Sequence, residues 1–270
     1  DEAERDIVMG DNGTGAFEVD GSIKTIATTD PAIGESDTIH TQNGEDIVLG
    51  GTAGDIITTG TDQSGDTSRD IVLGDNGTAT FDSQGRIDTI ESTDTDIGGN
   101  DPITTGGGPD IVLAGTDKDT VLTESGNDIV VGDSGQATFN SDKDANMAAE
   151  NIGILRTINT IPPAVGDDDQ ITTDDGSDIV IGGAKSDTIR TYLADEDQWD
   201  YVLGDNGTIA FEVDGSIESI ATTDPGVGDS DTIHTQNGAD IVIGGTAGDT
   251  ITTGTDASGD TSRDIVLGDN

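Results

Sequence analysis

The chain has 270 residues, no cysteine, 56 acidic and 10 basic residues, and a formal net charge of −46. The absence of cysteine excludes disulfide bonds and thiolate zinc sites, and the negative charge disfavours nucleic acid as a partner because the chain would repel phosphates. No apolar run approaches the roughly 18 residues of a membrane-spanning helix, so no membrane insertion is expected. Few aromatic residues with strong like charge are typical of disorder, so an ordered chain needs a regular pattern and bound counter-ions.

Short apolar segments recur along the chain, most often nine residues apart, and each follows an aspartate by two positions. These aspartates are Asp37, Asp46, Asp55, Asp70, Asp101, Asp110, Asp119, Asp128, Asp169, Asp178, Asp187, Asp200, Asp231, Asp240, Asp249 and Asp264. A strand this short cannot bury its apolar face alone and must stack on its neighbours. The pattern predicts an all-β parallel solenoid with two short strands in each coil.

A longer unit is marked by the segment Asp-Ile-Val-Met-Gly-Asp-Asn-Gly, which begins at Asp6 and recurs with small changes. It divides the chain into units 6–69, 70–127, 128–199 and 200–263, with the start of a fifth at 264–270. Insertions confined to loops explain the unequal lengths. We expect about three coils in each unit of roughly 64 residues, and residues 1–270 to be one continuous solenoid segment of a longer protein.

The four phenylalanines hold the same place in each unit, and the segments around them allow two interpretations. These residues are Phe17, Phe81, Phe139 and Phe211. Each segment is either another strand in register with the ladder or a projecting β-hairpin, closed in the first unit by a type I′ turn at Asp20-Gly21. The strand is favoured, because Asp88-Thr-Ile90 restores the repeated triplet and Gln84-Gly85 replaces Asp-Gly in the second unit.

The loops before the strands combine glycine with aspartate, which suits a calcium site. Glycine permits the positive φ that turns carbonyl groups inward, and Ca²⁺ prefers hard oxygen ligands such as carboxylates and carbonyls. We therefore predict several Ca²⁺ ions, bound by the aspartates given above. The Gly-Asp-Asn-Gly segments add a second group, which either binds metal or forms Asx turns. Its members are Asp11, Asp75, Asp133 and Asp205.

Two nonapeptides carry a family resemblance. Residues 50–58, Gly-Gly-Thr-Ala-Gly-Asp-Ile-Ile-Thr, and residues 244–252 resemble the RTX (hemolysin-type) repeat Gly-Gly-x-Gly-x-Asp-x-(large apolar)-x. Ala53 and Ala247 depart from it at the fourth position. The resemblance implies a right-handed parallel β-roll with Ca²⁺ between loops of successive coils, in a large, secreted, repetitive bacterial protein.

The strands fall into two alternating classes with different outward side chains. One class reads Asp-Ile-Val-Leu and exposes Ile and Leu on one sheet, and the other reads Asp-Thr-Ile-x-Thr and exposes mainly threonine on the other. A long apolar face needs a cover, supplied by another chain, by another part of this chain or by inserted loops. Self-association into a fibre or a lateral assembly through the Ile/Leu-bearing sheet is therefore expected.

The sequence carries no pattern of catalytic residues. His40 and His234 are copies of one position, with no nucleophile or metal-ligand arrangement around them, so no enzymatic activity is expected. The favoured function is an extracellular or cell-surface calcium-stabilised structural protein, such as a fibre, surface layer, matrix component or adhesin stalk, that folds on binding Ca²⁺. Two alternatives remain open: a Ca²⁺-dependent adhesive module whose threonine-bearing sheet binds ice or glycan, and the export and folding region of an RTX toxin or hydrolase.

Overall fold

The computed structural model describes residues 4–60, 65–142, 144, 147–162, 164–192, 198–254 and 262–269. Part of the predicted insertion between Gly60 and Asp66 lies outside these residues. The described residues form strands in three sheets and one 3-10 turn, Ala149–Asn151, which confirms the predicted all-β class. In the described part of the chain, no helix has the length and apolar character to cross a membrane.

The largest sheet, which we call the central sheet, is parallel and has nine strands. Numbered along the chain, they are β1 (Ile7–Met9), β5 (Ile47–Gly51), β7 (Ile71–Asp75), β11 (Ile111–Leu113), β13 (Ile129–Val131), β17 (Ile179–Gly183), β19 (Tyr201–Asp205), β23 (Ile241–Gly245) and β25 (Ile265–Asp269). They lie side by side in this order, and Val72 pairs with both Val48 and Val112. This pairing confirms the predicted valine register. A slip of one residue would turn each valine to the opposite face of the sheet.

The second parallel sheet, which we call the peripheral sheet, has eight strands. They are β4 (Thr38–His40), β6 (Ile56–Thr58), β10 (Pro102–Thr104), β12 (Thr120–Leu122), β16 (Gln170–Thr172), β18 (Thr188–Arg190), β22 (Thr232–Thr235) and β24 (Thr250–Thr253). Ile57, Ile103 and Val121 occupy one column. This column packs against the valine column of the central sheet in a fully buried core, so the two predicted strand classes do form two different sheets.

The phenylalanine segments form a third, antiparallel sheet of eight strands, which we call the hairpin sheet. Its strands are β2 (Gly13–Phe17), β3 (Ile23–Thr28), β8 (Gly77–Phe81), β9 (Ile87–Ser92), β14 (Gly135–Phe139), β15 (Leu155–Thr160), β20 (Gly207–Phe211) and β21 (Ile217–Thr222). Each unit supplies one hairpin, and hairpins of successive units pair with one another. The favoured prediction of an in-register parallel strand was therefore wrong.

The first hairpin closes differently from the type I′ turn considered for it. The Glu18 N–H donates to the Ser22 carbonyl oxygen at 2.8 Å, and the Gly21 N–H donates to the Glu18 carbonyl oxygen at 3.0 Å. Only Gly21 has positive φ, at 94°, whereas a type I′ turn needs positive φ at both central residues. Since each hairpin takes the place of two expected ladder strands, a unit contributes two strands, not three, to each parallel sheet.

The hairpin sheet covers the face of the central sheet that bears isoleucine and leucine. Leu49 and Leu73 are at most 1% exposed, and they belong to one buried cluster with Phe81 and Ile90 of the second hairpin. The cover required by this face is thus another part of the same chain, one of the three predicted sources. Within the inner strands this face is therefore buried inside the chain, whereas Ile7 of β1 and Leu267 of β25 are exposed.

Candidate metal centres

The aspartates that precede the central strands form one continuous hydrogen-bonded series, which we call the central ladder. The backbone N–H of each donates to Oδ1 of the next, as from Asp46 to Asp70 and from Asp70 to Asp110, both at 2.8 Å. The members are Asp6, Asp46, Asp70, Asp110, Asp128, Asp178, Asp200, Asp240 and Asp264. The parallel strands set this spacing, because corresponding loop residues stack at about 4.8 Å, the separation of neighbouring strands.

A second series, the peripheral ladder, precedes the peripheral strands. Here the Asp101 N–H donates to Asp119 Oδ1 and the Asp119 N–H to Asp169 Oδ1, both at 2.8 Å. The members are Asp37, Asp55, Asp101, Asp119, Asp169, Asp187, Asp231 and Asp249. The two ladders run along opposite corners, one where the chain enters the central sheet and one where it enters the peripheral sheet.

In both ladders the second carboxylate oxygen is often buried without a hydrogen-bond partner. In the central ladder these atoms are Oδ2 of Asp46, Asp70, Asp110 and Asp128. In the peripheral ladder they are Oδ2 of Asp55, Asp101, Asp119, Asp169, Asp187 and Asp231. All ten residues are at most 1% exposed. A buried carboxylate oxygen without a partner is costly, so these corners require a cation, a proton or another donor.

Burial raises the pKa of the carboxyl groups of Asp101, Asp110 and Asp128. It is the largest cause in each case and brings the pKa of Asp101 and Asp110 to about 8 and that of Asp128 to about 9. Neighbouring carboxylates add to the effect: Asp169 and Asp101 help to raise the pKa of Asp119 well above its ordinary value. The ion pairs Arg5–Glu45, Lys24–Glu18 and Arg86–Asp82 all lie outside the ladders.

The Gly-Asp-Asn-Gly aspartates lie at the bases of the hairpins and tie together loops that are distant in sequence. Asp75 Oδ1 accepts the Gly99 N–H at 3.0 Å, and Oδ2 accepts the Thr116 N–H at 2.6 Å. Asp11, Asp133 and Asp205 accept the equivalent N–H groups of Thr52, Ala184 and Thr246. Their partners lie far along the chain, unlike those of an Asx turn, so these residues fasten each hairpin to the neighbouring corner loop.

Threonine hydroxyls face the second oxygens of the central ladder. Thr173 Oγ1 donates to Asp178 Oδ2 at 2.5 Å, and Thr191 Oγ1 donates to Asp200 Oδ2. Three more central-ladder carboxyls, those of Asp70, Asp110 and Asp128, lie against Thr59, Thr105 and Thr123. Burial raises the pKa of these carboxyls, and the threonines offset part of that rise. These three pairs do not close into full hydrogen bonds. The threonines are fully buried.

Glycines face the second oxygens of the peripheral ladder. A Cβ at Gly132 would lie 2.5 Å from both Asp169 Oδ2 and the Gly182 carbonyl oxygen. At Gly74 a Cβ would approach Asp101 Oδ2 and the Ala114 carbonyl oxygen to less than 3.0 Å. The same pairing of a carboxylate with the carbonyl of the next strand recurs at Gly10, Gly50, Gly182 and Gly204. Both oxygens thus pack against the glycine Cα so closely that a side chain with a Cβ would collide with them.

The peripheral corner also contains strained backbone. Ala53, Asp117, Lys185 and Ala247 hold the same loop position with φ between 67° and 79°. This is the left-handed region that disfavours side chains with a Cβ. The two alanines are the positions at which the sequence departs from the RTX pattern, and the backbone there keeps the conformation that glycine would favour.

Side chains alone do not complete a metal site. Within the described ranges, no three histidine or acidic side chains converge closely enough to hold a metal ion by themselves. A cation at either corner therefore needs backbone carbonyl oxygens among its ligands, and Ca²⁺ commonly takes them. The convergence of carboxylate and carbonyl oxygens at the peripheral corner supplies the two kinds of ligand that calcium prefers.

Comparisons with known proteins do not place the chain in a family. No protein-family model matches it, and no curated protein matches it. The resemblance to RTX repeats rests on the loop residues.

All predicted ligand positions fall into the two ladders and the hairpin bases. The sequence analysis did not identify the threonines and glycines that face these aspartates. The residue four positions after each aspartate decides what faces the opposite ladder: it is threonine in the peripheral strands and glycine or Ala114 in the central ones. The signal was present in the repeats Asp-Thr-Ile-x-Thr and Asp-Ile-Val-Leu-Gly. His40 and His234 share an outward-facing column of the peripheral sheet with Arg190, and His234 is partly buried there.

Proposed function

We propose that this chain is an extracellular, calcium-stabilised structural repeat protein that folds and stiffens on binding Ca²⁺. The observation that carries the proposal is the row of buried, unpaired carboxylate oxygens at positions that are at most 1% exposed. Calcium would supply the missing positive charge and would be bound by these carboxylates and by neighbouring carbonyl groups. The proposal assigns no catalytic residue.

Charge makes this folding dependent on metal. The chain carries a net charge of −46, and its ladder carboxylates stack at about the separation of neighbouring strands, 4.8 Å. Without cations the ionised carboxylates repel one another and lose hydration on burial. A chain secreted from a compartment poor in calcium would leave as a mobile polyanion and fold outside, because the binding energy of the metal becomes folding energy.

The proposed architecture is a right-handed parallel β-solenoid with two coils in each unit. The chain alternates between central and peripheral strands, and a hairpin follows β1, β7, β13 and β19, so every second coil carries one. The resemblance of the corner loops to RTX repeats supports this architecture. Fibre or matrix assembly remains part of it, through surfaces other than the buried Ile/Leu face.

A calcium titration followed by far-UV circular dichroism tests the proposal. The metal-stripped chain at neutral pH should gain β-structure cooperatively as calcium is added, magnesium at the same concentration should be much less effective, and a chelator should reverse the change. A chain that is fully β-folded after exhaustive chelation, with a melting temperature unaffected by calcium, would contradict it.

A second candidate function is adhesion through the outward face of the peripheral sheet. Thr58 and Thr104 stand in register there, with Thr172 and Thr252 in the same column. Aligned threonines suit a surface that binds ice or glycan, although His40, Leu122, Arg190 and His234 interrupt the column. Thermal hysteresis or glycan-array binding that is lost on replacing these threonines with lysine would favour adhesion. The third candidate, the export and folding region of a toxin or hydrolase, requires a catalytic domain elsewhere in a longer protein.

A further inference from the structure

The two ladders contain nine and eight aspartates, many of them fully buried, but they face different groups. In the central ladder the second oxygens of Asp70, Asp110, Asp128, Asp178 and Asp200 face threonine hydroxyls, which can donate a hydrogen bond. Those of the peripheral ladder face glycine Cα atoms and backbone carbonyl oxygens, which offer no strong donor. The repeat encodes this difference. The residue four positions after the aspartate is threonine in the peripheral repeats and glycine, or once Ala114, in the central repeats.

At Asp178 and Asp200 the central corner satisfies its carboxylates with protein groups alone. Asp178 shows the complete arrangement: Oδ1 accepts the Asp128 N–H at 2.9 Å, and Oδ2 accepts the Thr173 hydroxyl at 2.5 Å. Asp200 has the same two partners, the Asp178 N–H and the Thr191 hydroxyl. A threonine side chain also fills the space that a cation would need beside the carboxylate.

Among the described residues, no equivalent donor reaches the second oxygens of Asp55, Asp101, Asp119, Asp169, Asp187 and Asp231. Asp101 accepts the Asp55 N–H at Oδ1, but Oδ2 is buried without a partner beside the Ala114 carbonyl oxygen. Two electron-rich oxygens that approach the same space repel each other unless a cation or a proton lies between them. Both kinds of oxygen are ligands of Ca²⁺, which binds about six to eight oxygens at 2.3–2.6 Å.

We propose that calcium binds only at the peripheral ladder, beside its glycine-faced aspartates, and that the central ladder binds none. This inference rests on the proposed calcium-dependent function and specifies which half of the aspartates serves it. It divides the predicted ligands into peripheral aspartates that bind calcium and central aspartates that hold neighbouring strands in register through their own hydrogen bonds.

One central repeat has alanine where the others have glycine. Ala114 replaces glycine directly after β11, whose last residue, Leu113, pairs with Leu73 next to Gly74. Ala114 is fully buried, and its methyl group adds bulk at the position that glycine holds beside the other peripheral aspartates. The corner at Asp119 should therefore lack the ion that its neighbours bind.

A matched pair of variants tests the division. Asp101→Asn alters the peripheral ladder and Asp110→Asn the central one; both residues are fully buried and belong to the same unit. In both, the new amide retains an oxygen that can accept the backbone N–H held by Oδ1. Bound calcium is counted by equilibrium dialysis and elemental analysis of the 270-residue chain. We expect Asp101→Asn to bind one ion fewer than the wild type and Asp110→Asn to bind the same number.

A third variant, Ala114→Gly, removes only a methyl group and should add one bound ion. If Asp101→Asn fails to fold, this variant decides: one extra ion supports the proposal, and an unchanged count overturns it. Loss of an ion in Asp110→Asn, or a full count in folded Asp101→Asn, also overturns the division between ladders while leaving calcium binding intact. A wild-type chain that binds no calcium would instead overturn the proposed function itself.

Discussion

Replacing Asp110 with asparagine should make the chain more stable at neutral pH, in calcium as well as without it. Asp110 is fully buried, and burial is the main cause that raises the pKa of its carboxyl from 3.8 to about 8. At pH 7 the carboxyl is therefore protonated in the folded chain and ionised in the unfolded chain. Asparagine is neutral in both states, and its carbonyl oxygen can accept the Asp70 N–H that Asp110 Oδ1 accepts at 2.8 Å.

The size of the effect follows from the pKa shift. One pKa unit corresponds to about 1.4 kcal/mol, so keeping Asp110 neutral at pH 7 costs the folded state about 4 kcal/mol. Because the folded pKa is raised, the stability that this carboxyl contributes is fully present below pH 3.8 and is lost as the pH rises toward 8. Allowing for an imperfect fit of the amide against the Thr105 hydroxyl, we expect a gain of about 1–4 kcal/mol at pH 7 and little change near pH 4.

Urea unfolding of the wild type and Asp110→Asn at both pH values, in saturating calcium and in chelator, measures this gain. Asp101→Asn is the matched comparison, since it should lose stability in calcium by removing a proposed ligand. If Asp110→Asn were less stable than the wild type in calcium at pH 7, the central ladder would not be the neutral, metal-free element inferred for it.

Three further changes test other parts of the structure by thermal unfolding. Thr173→Val leaves a ladder carboxylate oxygen without its donor, so it should destabilise the chain by about 1–3 kcal/mol with no change in bound calcium; an unchanged melting temperature would contradict this role. Ala53→Gly relieves a left-handed φ of 71° and should stabilise the chain by about 1 kcal/mol, whereas Ala184→Gly, at negative φ, should not. Phe81→Ala removes a buried ring between the hairpin and central sheets and should cost about 3–5 kcal/mol, while Phe17→Ala, at 62% exposure, should cost far less.

The parallel ladders were predictable because their signal is redundant. Each strand repeats an aspartate, a branched residue two positions later and a nearly constant spacing, and only one register keeps Val48, Val72 and Val112 on the same face. The alternation of Asp-Ile-Val and Asp-Thr-Ile strands likewise assigned each strand to its sheet.

The hairpins were missed because their spacing imitates the ladder. Val72, Phe81 and Ile90 follow one another at the same nine-residue step as true ladder residues. Tertiary packing decides between a ladder strand and a hairpin. Leu49 and Leu73 need a cover, and a hairpin that folds back over them buries Phe81 and Ile90 at the same time. Single-strand periodicity does not contain that information.

The ligand candidates were predictable as a class but not by their surroundings. Aspartate beside glycine indicated the corners, whereas the contrast between Asp101 and Asp110 depends on the residue that faces each across the corner. That residue comes from the preceding strand of the other sheet, so its identity acquires meaning only once the two sheets are paired.

Anomalous diffraction from calcium-grown crystals, recorded at a long wavelength, tests the central claim most directly. We predict a row of calcium peaks beside Asp37, Asp55, Asp101, Asp169, Asp187 and Asp231, a gap at Asp119, and none along the central ladder. Well-ordered crystals of the folded chain with no calcium peak at the peripheral corner would contradict it.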